Sequence, residues 1–469
     1  MGLVLIGVIL LVAMAAEKFT LGVLLLGVPG ILFLLAGSPV RVLMAIFALQ
    51  IVLTLTQLSA ISLGFLRVDD LLTILLVWLW VLSLPDRSMR GVRIGKQGIF
   101  IILFLVLFAV AALRGVSAGH NINYLISQTK TMGAYFLYFP LLWVLSDETH
   151  SRWLWKLLLW SAVAGGLIYT YKGFRGTGED VYIRRTTGLR VTTRQPNAIG
   201  VVMLMYIGRL WKPGGKRPPL VAVIPSLILM SSALFLSQTR GIWGGVLLAL
   251  ALAWILNLFR RKDNIRLGRK LITSITVLAG LVAVLILSVS AMGLLSVSDI
   301  AERTGESGDY MTSTATLSRL VAWNAILQEL GGTHILTGKG LGAVYTCFRP
   351  DLGAEVTVHY VDGSYFQIAL NMGVIGVLAF LGIFVTTLVR AAKLFVRTDS
   401  RRRAGIALGI FCAVIMLLFA SGFASVLTNY RYTILWVFLP ALLQVEIIRE
   451  KKERESDRSR QMAALTGNR

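Results

Sequence analysis

The chain has 469 residues, of which 56% are hydrophobic and only 15% charged, and its mean hydropathy is +0.76. A soluble globular domain of this length does not carry so apolar a composition, so that class is excluded. The composition predicts a polytopic membrane protein. A net charge of +23 suits either nucleic-acid binding or a membrane topology signal, and the positions of the charges decide between them.

Apolar stretches of about 17 to 25 residues recur along the chain, which is the length an α-helix needs to cross a bilayer. They predict an all-α fold, a polytopic transmembrane helical bundle of about 12 to 14 spans. The first apolar run has no basic segment before it, so we expect a retained helix rather than a cleaved signal. The predicted spans lie near residues 3–16, 19–37, 42–60, 70–85, 98–114, 124–145, 153–171, 196–211, 219–236, 241–259, 271–294, 364–389, 404–422 and 432–448.

The basic connections between these spans fall on one face of the predicted bundle when the spans are counted in order. The positive-inside rule makes that face cytoplasmic, so we expect both termini in the cytoplasm and the chain in the inner membrane. Basic loops that face anionic lipid head groups of the bilayer then account for the net charge, and no nucleic-acid partner is expected. The basic connections are 86–97, 209–219, 260–270, 390–403 and the tail 449–460.

The predicted topology divides the chain into five parts. N-terminal transmembrane helices fill residues 1–171, and 172–294 holds transmembrane helices joined by arginine-bearing external loops. A large extracytoplasmic loop with short amphipathic helices is predicted for 295–363, C-terminal transmembrane helices for 364–448, and a basic cytoplasmic tail for 449–469. We expect the functional residues on the external loops, because function concentrates on loops that a rigid scaffold positions.

The stretch "YIRRTTGLRVTTRQPNAIG" places four arginines in an external loop, Arg184, Arg185, Arg190 and Arg194. They oppose the positive-inside rule, and a long loop that is translocated regardless of its charge is one explanation. The other is an anion site, because guanidinium groups bind phosphate oxygens in a bidentate way and stay charged. A further arginine, Arg240 in "SQTRG", stands at a tight turn between apolar runs, where a cation either snorkels to the interface or faces a cavity.

The stretch "TLSRLVAWNAILQELGG" predicts an amphipathic external helix with Arg319 in its first turn and a Gly-Gly pair at its end. Thr316 or Ser318 is the expected N-cap, and Trp323 is expected to pack rather than to hold a sugar. The glycine-rich "LTGKGLGAVY" that follows predicts a plain loop, with close approach of the backbone to a ligand as the alternative. The apolar residues at helical spacing are Leu320, Trp323, Ile326 and Leu327.

The stretch "VTVHYVDGSYFQIALNMG" places His359 and Asp362 immediately before a long span, where they are the best acid or base candidates outside the membrane. Asp362 as a helix cap and His359 as an ordinary loop histidine are the structural alternatives. At neutral pH a histidine is the stronger base, because its ordinary pKa is about 6.5 and that of aspartate about 3.9.

No motif in the chain indicates a metal or a cofactor. HExxH, a CxxC pair and a Walker loop after a strand are all missing, so bound zinc and ATP have no support. Of the two cysteines, Cys347 lies in a polar loop and Cys412 inside an apolar helix, so their depths make a disulfide unfavourable. We therefore expect chemistry carried by arginine, aspartate and histidine side chains.

In their order and spacing, these external stretches resemble the O-antigen ligase and polymerase superfamily. The resemblance rests on "RQPNAIG", "SQTRG", "SRLVAWNAILQELGGTHILTGKGLG" and "HYVDGSYFQIALNMGVIG", within about residues 184–380. That family attaches or polymerises bacterial surface polysaccharides on the outer face of the cytoplasmic membrane, using glycans carried on undecaprenyl diphosphate. The resemblance implies a metal-independent glycosyltransferase with a GT-C-like fold and no cofactor, accompanied by other polysaccharide-assembly membrane proteins.

Carried over to this chain, the resemblance implies which residues hold the donor diphosphate. Arg240 matches the arginine of the family's "SRG" motif, and Arg319 matches that of "SRxxxW". A further arginine is expected from the first loop, where Arg190 and then Arg194 are the preferred positions. Additional donor or acceptor contacts are expected from Arg184, Arg185, Asn197, Lys339 and Tyr365.

The catalytic base is placed by a departure from the family pattern. Ligases of the family usually carry "HNxYL", and aligning Tyr365 with their tyrosine puts Asp362 at the histidine and Gly363 at the asparagine. This register favours Asp362 over His359, which lies three residues early. A weak carboxylate base is sufficient, because a sugar hydroxyl becomes acidic only as the glycosidic bond breaks. Since the ligase-type "HN" is missing, a polymerase is favoured over a ligase.

A flippase or exporter of lipid-linked oligosaccharides is the rival from another class. It predicts charged residues near the midplane of several spans, internal repeats and short external loops. This chain keeps its predicted spans nearly free of charge and has one long external loop at 295–363, so the glycosyltransferase is favoured.

Overall fold

A computed structural model of the chain describes residues 39–55, 93–175, 196–211, 219–237, 239–260, 314–332, 334–349 and 353–466, with short pieces between 62 and 81. These residues form an all-α helical bundle with two small antiparallel hairpins, which confirms the predicted fold class. The first hairpin consists of β1 (Ser62–Leu63) and β2 (Leu66–Arg67). The predicted spans at 3–16, 19–37 and 271–294 lie outside the described residues.

In the N-terminal half, helices overlap the predicted spans 42–60, 98–114, 153–171, 196–211, 219–236 and 241–259, whereas only short pieces of 70–85 are described. The predicted span 124–145 is wrong as a single helix, because a 3-10 turn at Ala134–Leu137 divides it. The helices are α1 (Pro39–Leu55), α2 (Lys96–Ser117), α3 (Ile122–Gly133), α4 (Tyr138–Ser146), α5 (Glu148–Arg175), α6 (Pro196–Trp211), α7 (Leu220–Leu236) and α8 (Arg240–Leu258).

In the C-terminal half, the loop predicted to be external contains a second hairpin that the sequence analysis did not predict. Tyr345 pairs with Val358 and Arg349 with Ala354 in its antiparallel register. The elements are α9 (Thr314–Glu329), α10 (His334–Thr337), β3 (Tyr345–Arg349), β4 (Ala354–Val358), α11 (Ser364–Arg397), α12 (Arg401–Phe423) and α13 (Tyr430–Thr466).

Several helices are apolar and long enough to cross a bilayer, so the chain is an integral membrane protein. Within the part that the structure describes, Leu43–Leu55 of α1 and Val221–Leu236 of α7 are shorter apolar helices. The five candidate spans are Lys96–Ser117, Gly241–Leu258, Ser364–Arg397, Arg401–Phe423 and Tyr432–Ala463.

Helix α12 packs against α6 through small residues, as membrane helices do when their backbones approach closely. A Cβ added to Gly409 of α12 would lie 2.6 Å from the Met205 Cα of α6, which is closer than any ordinary contact. Gly208 of α6 meets the same stretch of α12 one turn further along. The two helices are antiparallel, so the start of α6 faces the end of α12.

One end of the bundle gathers the basic connections. Arg260, after α8, donates to the Phe395 carbonyl oxygen at 2.9 Å. Arg403, in α12, lies 3.4 Å from the buried Glu446 carboxylate and 2.8 Å from that of Glu450 in α13. The connections 260–270 and 390–403 and the tail therefore start from one end, as the span order predicts. That this end is cytoplasmic stays a prediction.

The opposite end carries a small second core formed by residues between Ala322 and Leu370, and it corrects the expected face of α9. Ile326 is fully buried, whereas Leu320 and Leu327 are 38% and 58% exposed. Helix α9 begins at Thr314, so Thr316 and Ser318 lie inside it and neither is its N-cap. The residues of this core are Ala322, Ile326, Leu330, Ala343, Tyr345, Cys347, Val361 and Leu370.

The cysteines confirm the expectation of no disulfide. Cys347 belongs to the small second core and Cys412 to the interior of α12, and both are buried and outside any disulfide. A redox role therefore has no support from their placement, since reactive thiols are partly exposed.

Candidate functional site

The structure brings two predicted site residues into direct contact. The Arg319 Nε atom lies 3.7 Å from the Asp362 Oδ2 atom, and this contact joins α9 to the turn before α11. The Asp362 side chain is 52% exposed and that of Arg319 30%, so both are accessible to a ligand. A half-exposed ion pair contributes only about 0–1 kcal/mol, so this contact adds little to the stability of the fold.

Asp362 is held in place by the glycine that follows it. Gly363 has φ of 114°, a conformation that favours glycine, and it occupies the N-cap position of α11. Asp362 is therefore not the cap of this helix. A Cβ on Gly363 would lie 3.4 Å from the Gly422 carbonyl oxygen, so the turn packs against the end of α12.

Trp323, one helical turn after Arg319, packs against the same turn. Its indole Nε1 donates to the Asp362 carbonyl oxygen at 2.7 Å. Its ring stacks on Phe366, with the ring centroids 4.8 Å apart. This confirms the packing role predicted for Trp323. Because residues four apart share a helix face, one face of α9 both supports the Asp362 backbone and presents Arg319 to its carboxylate.

His359 is packed against a helix of the N-terminal half. Its imidazole stacks on the Tyr124 ring, with centroids 3.8 Å apart and ring planes 9° apart. Burial lowers the pKa of His359 below its usual value, which favours the neutral imidazole at neutral pH. The geometry therefore gives His359 a packing role and leaves Asp362 as the exposed group beside a cation.

Two further predicted contacts have side chains engaged elsewhere. The Tyr365 hydroxyl donates to the Leu418 carbonyl oxygen at 2.6 Å and so joins α11 to α12. The Lys339 ammonium pairs with the Glu329 carboxylate at the end of α9. Structural roles account for both side chains.

Arg240 opens α8, at the position that the "SQTRG" motif predicts, and its side chain lies outside the described part. The next residue, Gly241, lies against the end of α12, where an added Cβ would come 3.7 Å from the Phe423 ring. The Asp362 turn contacts that same end of α12 through Gly363. The backbones of Arg240 and Asp362 are therefore neighbours at one end of the bundle.

Asn197 stands in the first turn of α6 and is buried, with 8% exposed. One turn later, a Cβ on Gly200 would lie 3.0 Å from the Met416 sulfur of α12. The start of α6 thus joins the start of α8 and the Asp362 turn around the end of α12. The predicted loop arginines immediately before α6 lie outside the described residues, namely Arg184, Arg185, Arg190 and Arg194.

The glycine-rich segment after α10 is inserted between two apolar helices, so the prediction of a plain loop is wrong. On one side, the Leu341 N–H donates to the Ala111 carbonyl oxygen of α2 at 2.9 Å. On the other, the Gly340 N–H donates to the Asn371 carbonyl oxygen of α11 at 3.0 Å. At 1.5 Å per residue, Ala111 lies about 9 Å inside the end of α2. Backbone at such a depth needs these protein partners.

The same segment lies against a break in α11. Gly373 has φ of 67°, and a Cβ there would overlap the Leu336 carbonyl oxygen. The break interrupts the hydrogen bonding of α11, and the Lys339 N–H donates to the Leu370 carbonyl oxygen at 2.8 Å beside it. The close approach and the positive φ both require glycine, which the sequence showed only as isolated glycines.

Sequence reasoning also missed the segment that opens α3. The His120 Nδ1 atom lies 2.8 Å from the Leu341 carbonyl oxygen, and Tyr124 stacks on His359. The Asn121 side chain accepts from the Asn123 N–H and caps α3, which is the one signal that the sequence carries for this helix start. The face that α3 turns to the site is set by tertiary packing.

The charges at this end suit an anionic ligand that reacts with a hydroxyl. Arg319 offers a guanidinium to phosphate oxygens, and Asp362, 3.7 Å away, offers a carboxylate to a proton. Among the residues that the structure describes, no three His, Cys, Asp or Glu side chains are grouped so as to hold a metal ion.

Comparison with known proteins gives a match to part of the chain. Residues 225–381 match the family model described as O-antigen ligase, and this range contains Arg240, Arg319, His359 and Asp362. No curated protein matches the chain. The match to residues 225–381 supports the resemblance to the O-antigen ligase and polymerase superfamily.

Proposed function

We propose that the chain is a membrane glycosyltransferase that polymerises oligosaccharide repeat units carried on undecaprenyl diphosphate. The observation that carries this proposal is the contact between Arg319 and Asp362 inside the family-matched range. The family match supports a role in surface polysaccharide assembly, and the apolar helices support a membrane location. The reaction is placed at the outer face of the cytoplasmic membrane, with both termini in the cytoplasm.

In the proposed reaction, the acceptor hydroxyl attacks the anomeric carbon of the donor sugar. A bond forms between the acceptor oxygen and that carbon, and the bond from the carbon to the diphosphate oxygen breaks. The hydroxyl proton passes to the Asp362 carboxylate, and undecaprenyl diphosphate leaves. Because the leaving group is already activated, the protein's main task is to stabilise the charge that builds on the departing phosphate.

Arginines supply this stabilisation without a metal in the proposed site. A guanidinium about 4 Å from a phosphate oxygen contributes roughly 4 kcal/mol at an effective dielectric near 20, but about 1 kcal/mol in water. We assign Arg240 and Arg319 to the diphosphate, with Arg190 or Arg194 as a further cation. A partly desolvated position at the membrane surface is therefore what makes these arginines effective.

The ion pair between Arg319 and Asp362 is the proposed resting state of the site. When the donor binds, its diphosphate oxygens compete with the carboxylate for Arg319, and the exposed pair opens at little cost. Donor binding thereby frees Asp362 to accept the proton of the second substrate. The order of events, with the donor before the acceptor, follows from this exchange.

Transfer of a glycan to a lipid or protein acceptor, as a ligase performs it, is the second candidate. The match to the O-antigen ligase family favours it, whereas Asp362 and Gly363 at the place of the ligase-type "HN" favour a polymerase. Deletion of the gene, followed by analysis of the accumulated lipid-linked glycan, separates the two. Single repeat units support a polymerase and full-length chains a ligase. Glycan trapped on the cytoplasmic leaflet would indicate a flippase and overturn both.

The assignment of Arg240 to the diphosphate is tested by Arg240→Ala in cells. We expect loss of polymer at an unchanged protein level, because removal of one preorganised donor slows turnover by roughly 10² to 10³. Arg402→Ala is the matched control, since Arg402 pairs with Glu148 at the opposite end of the bundle. Normal polymer from the Arg240 variant would remove the diphosphate clamp from the mechanism.

A further inference from the structure

Part of the site is built by a segment that precedes the family-matched range. Residues 120–128 contact both the glycine-rich segment and the turn that carries His359 and Asp362. We propose that Gln128 is a positioning residue that fixes the His359–Asp362 turn relative to the glycine-rich segment. The bridge itself stands on geometry, and its effect on the reaction rests on the proposed function.

Gln128 bridges the two segments with both ends of its side-chain amide. Its Oε1 accepts from the Gly342 N–H at 2.6 Å, and its Nε2 donates to the His359 carbonyl oxygen at 3.2 Å. A backbone N–H only donates and a backbone carbonyl only accepts, so a single orientation of the amide satisfies both. Gln128 is 6% exposed, so bulk water does not replace these bonds.

The chemistry of the bridge is specific to glutamine at this position. A glutamate in its place keeps an acceptor for the Gly342 N–H but puts a second acceptor against the His359 carbonyl oxygen. A leucine fills a similar volume and offers neither group, which leaves the buried Gly342 N–H without its partner. An asparagine is one methylene shorter and reaches one end only.

The neighbouring contacts show that the glycine-rich segment is built around this end of α3. Gly342 has φ of 79°, and a Cβ there would lie 3.3 Å from the Leu125 N atom, so the two backbones are in direct contact. His120 contacts the Leu341 carbonyl oxygen on the same side. Tyr124 and Gln128 are four residues apart and share a helix face, and both contact His359.

The bridge reaches the proposed base through a short turn. Three side chains bond to the backbone of this turn. Gln128 donates to the His359 carbonyl oxygen, and Trp323 donates to the Asp362 carbonyl oxygen. Between them, the Val361 N–H donates to the Gln367 Oε1 at 3.0 Å. Loss of the first bond releases the turn on the side of β4. A displacement of about 1 Å at a reacting group lowers a rate by about 10².

The test compares the full-length Gln128→Leu and Gln128→Glu variants in detergent or nanodiscs, with Thr131→Ala as the control. Thr131 lies on the same helix, and its hydroxyl donates to the Ser127 carbonyl oxygen of that helix at 3.1 Å. Hydrogen exchange is followed in peptides that contain Gly342 and residues 355–363. Transfer from a lipid-linked repeat unit gives kcat and the KM for the donor.

We expect Gln128→Leu to raise exchange in both peptides by about tenfold, as loss of a buried hydrogen bond does. Its kcat should fall by about 10² with KM for the donor nearly unchanged, because Arg240 and Arg319 stay in place. Gln128→Glu should protect Gly342 while residues 355–363 exchange faster, and Thr131→Ala should behave as the wild type.

Two outcomes would overturn the proposal. Unchanged exchange in Gln128→Leu would show that the bridge does not hold the two segments. Raised exchange with an unchanged kcat would show that Gln128 is structural and does not position the base. Failure of the proposed function is a separate result, because it would appear as no glycan transfer by the wild-type chain, whereas the exchange experiment needs no substrate.

Discussion

Gly373→Ala should displace the glycine-rich segment from its place between α2 and α11. Gly373 has φ of 67°, and an added Cβ would overlap the Leu336 carbonyl oxygen. Gly332 provides a matched control, because it has φ of 70° and nothing lies within 4 Å of its added Cβ. Both variants carry the strain of a left-handed alanine, and only Gly373→Ala carries the clash.

The magnitudes follow from these two terms. Alanine in the left-handed region costs about 1–2 kcal/mol of unfolding free energy, which is the whole cost expected for Gly332→Ala. Overpacking adds about 1–3 kcal/mol at Gly373, since the backbone near Leu336 must retreat by about 1 Å. The retreat also stretches the bonds from Lys339 to Leu370, at 2.8 Å, and from Gly340 beside it. We therefore expect about 2–5 kcal/mol for Gly373→Ala.

Thermal unfolding in detergent measures the stability of both variants, and transfer from a lipid-linked repeat unit measures the effect on the site. Gly373→Ala should unfold at a lower temperature than Gly332→Ala and transfer glycan about 10² times more slowly, because the segment that holds the site is displaced. Equal losses in the two variants would refute the close backbone approach and leave only the strain of the positive φ.

Three other predictions concern single side chains. Asp362→Asn should lower the transfer rate by about 10² to 10⁴ and His359→Ala much less, and loss of activity in the histidine variant alone would show that the register is wrong. Burial lowers the pKa of His359, so the unfolded chain, with a pKa of about 6.5, takes up the proton first. The free energy of unfolding should therefore fall as the pH drops below about 6.5. His359→Gln should lose this contribution to acid sensitivity in thermal unfolding. Arg403→Met should cost more than Arg402→Met, because it removes one of the two cations of the buried Glu446 and leaves only Arg449, at 2.7 Å, beside that carboxylate. Arg402→Met, at an exposed pair, should cost about 0–1 kcal/mol, and chemical unfolding of both variants compares them.

Hydrophobic length placed helices well in the part of the chain that the structure describes. The prediction of 98–114 lies inside the candidate span α2, and 196–211 coincides with the helix α6. Apolar length does not show where a helix is interrupted, because an interruption depends on tertiary contacts. The 3-10 turn at Ala134–Leu137, which divides 124–145, could therefore not be predicted from the sequence.

The missed hairpin did have a signal. Tyr345 and Cys347 are buried while Thr346 and Phe348 are exposed, which is the alternation of a strand with one face on a core. The run is five residues long and follows a glycine-rich stretch, so helical patterns in the flanking segments outweighed it. Short strands of this kind are the weakest periodic signal in a sequence rich in long apolar helices.

Residue types in the external loops were enough to select Arg319 and Asp362, but not the residues that hold them. Motif order and charge marked these two because their chemistry is unusual at that place. Gln128 carries no such mark, since its role depends on two backbone atoms more than 200 positions away in the chain. Contacts of this kind are fixed by packing of α3 on the external segments, and a sequence pattern does not encode them locally.

Among the described residues, Arg403 and Arg319 differ in how strongly burial holds them to their carboxylate partners. At the basic end, Arg403 is buried among the carboxylates of Glu446 and Glu450, and a buried ion pair is costly to break. At the opposite end, the carboxylate beside Arg319 is half exposed, and that pair contributes about 0–1 kcal/mol. Exchange of a carboxylate for a diphosphate therefore costs less at Arg319 than at Arg403, which is why the proposed donor site uses Arg319.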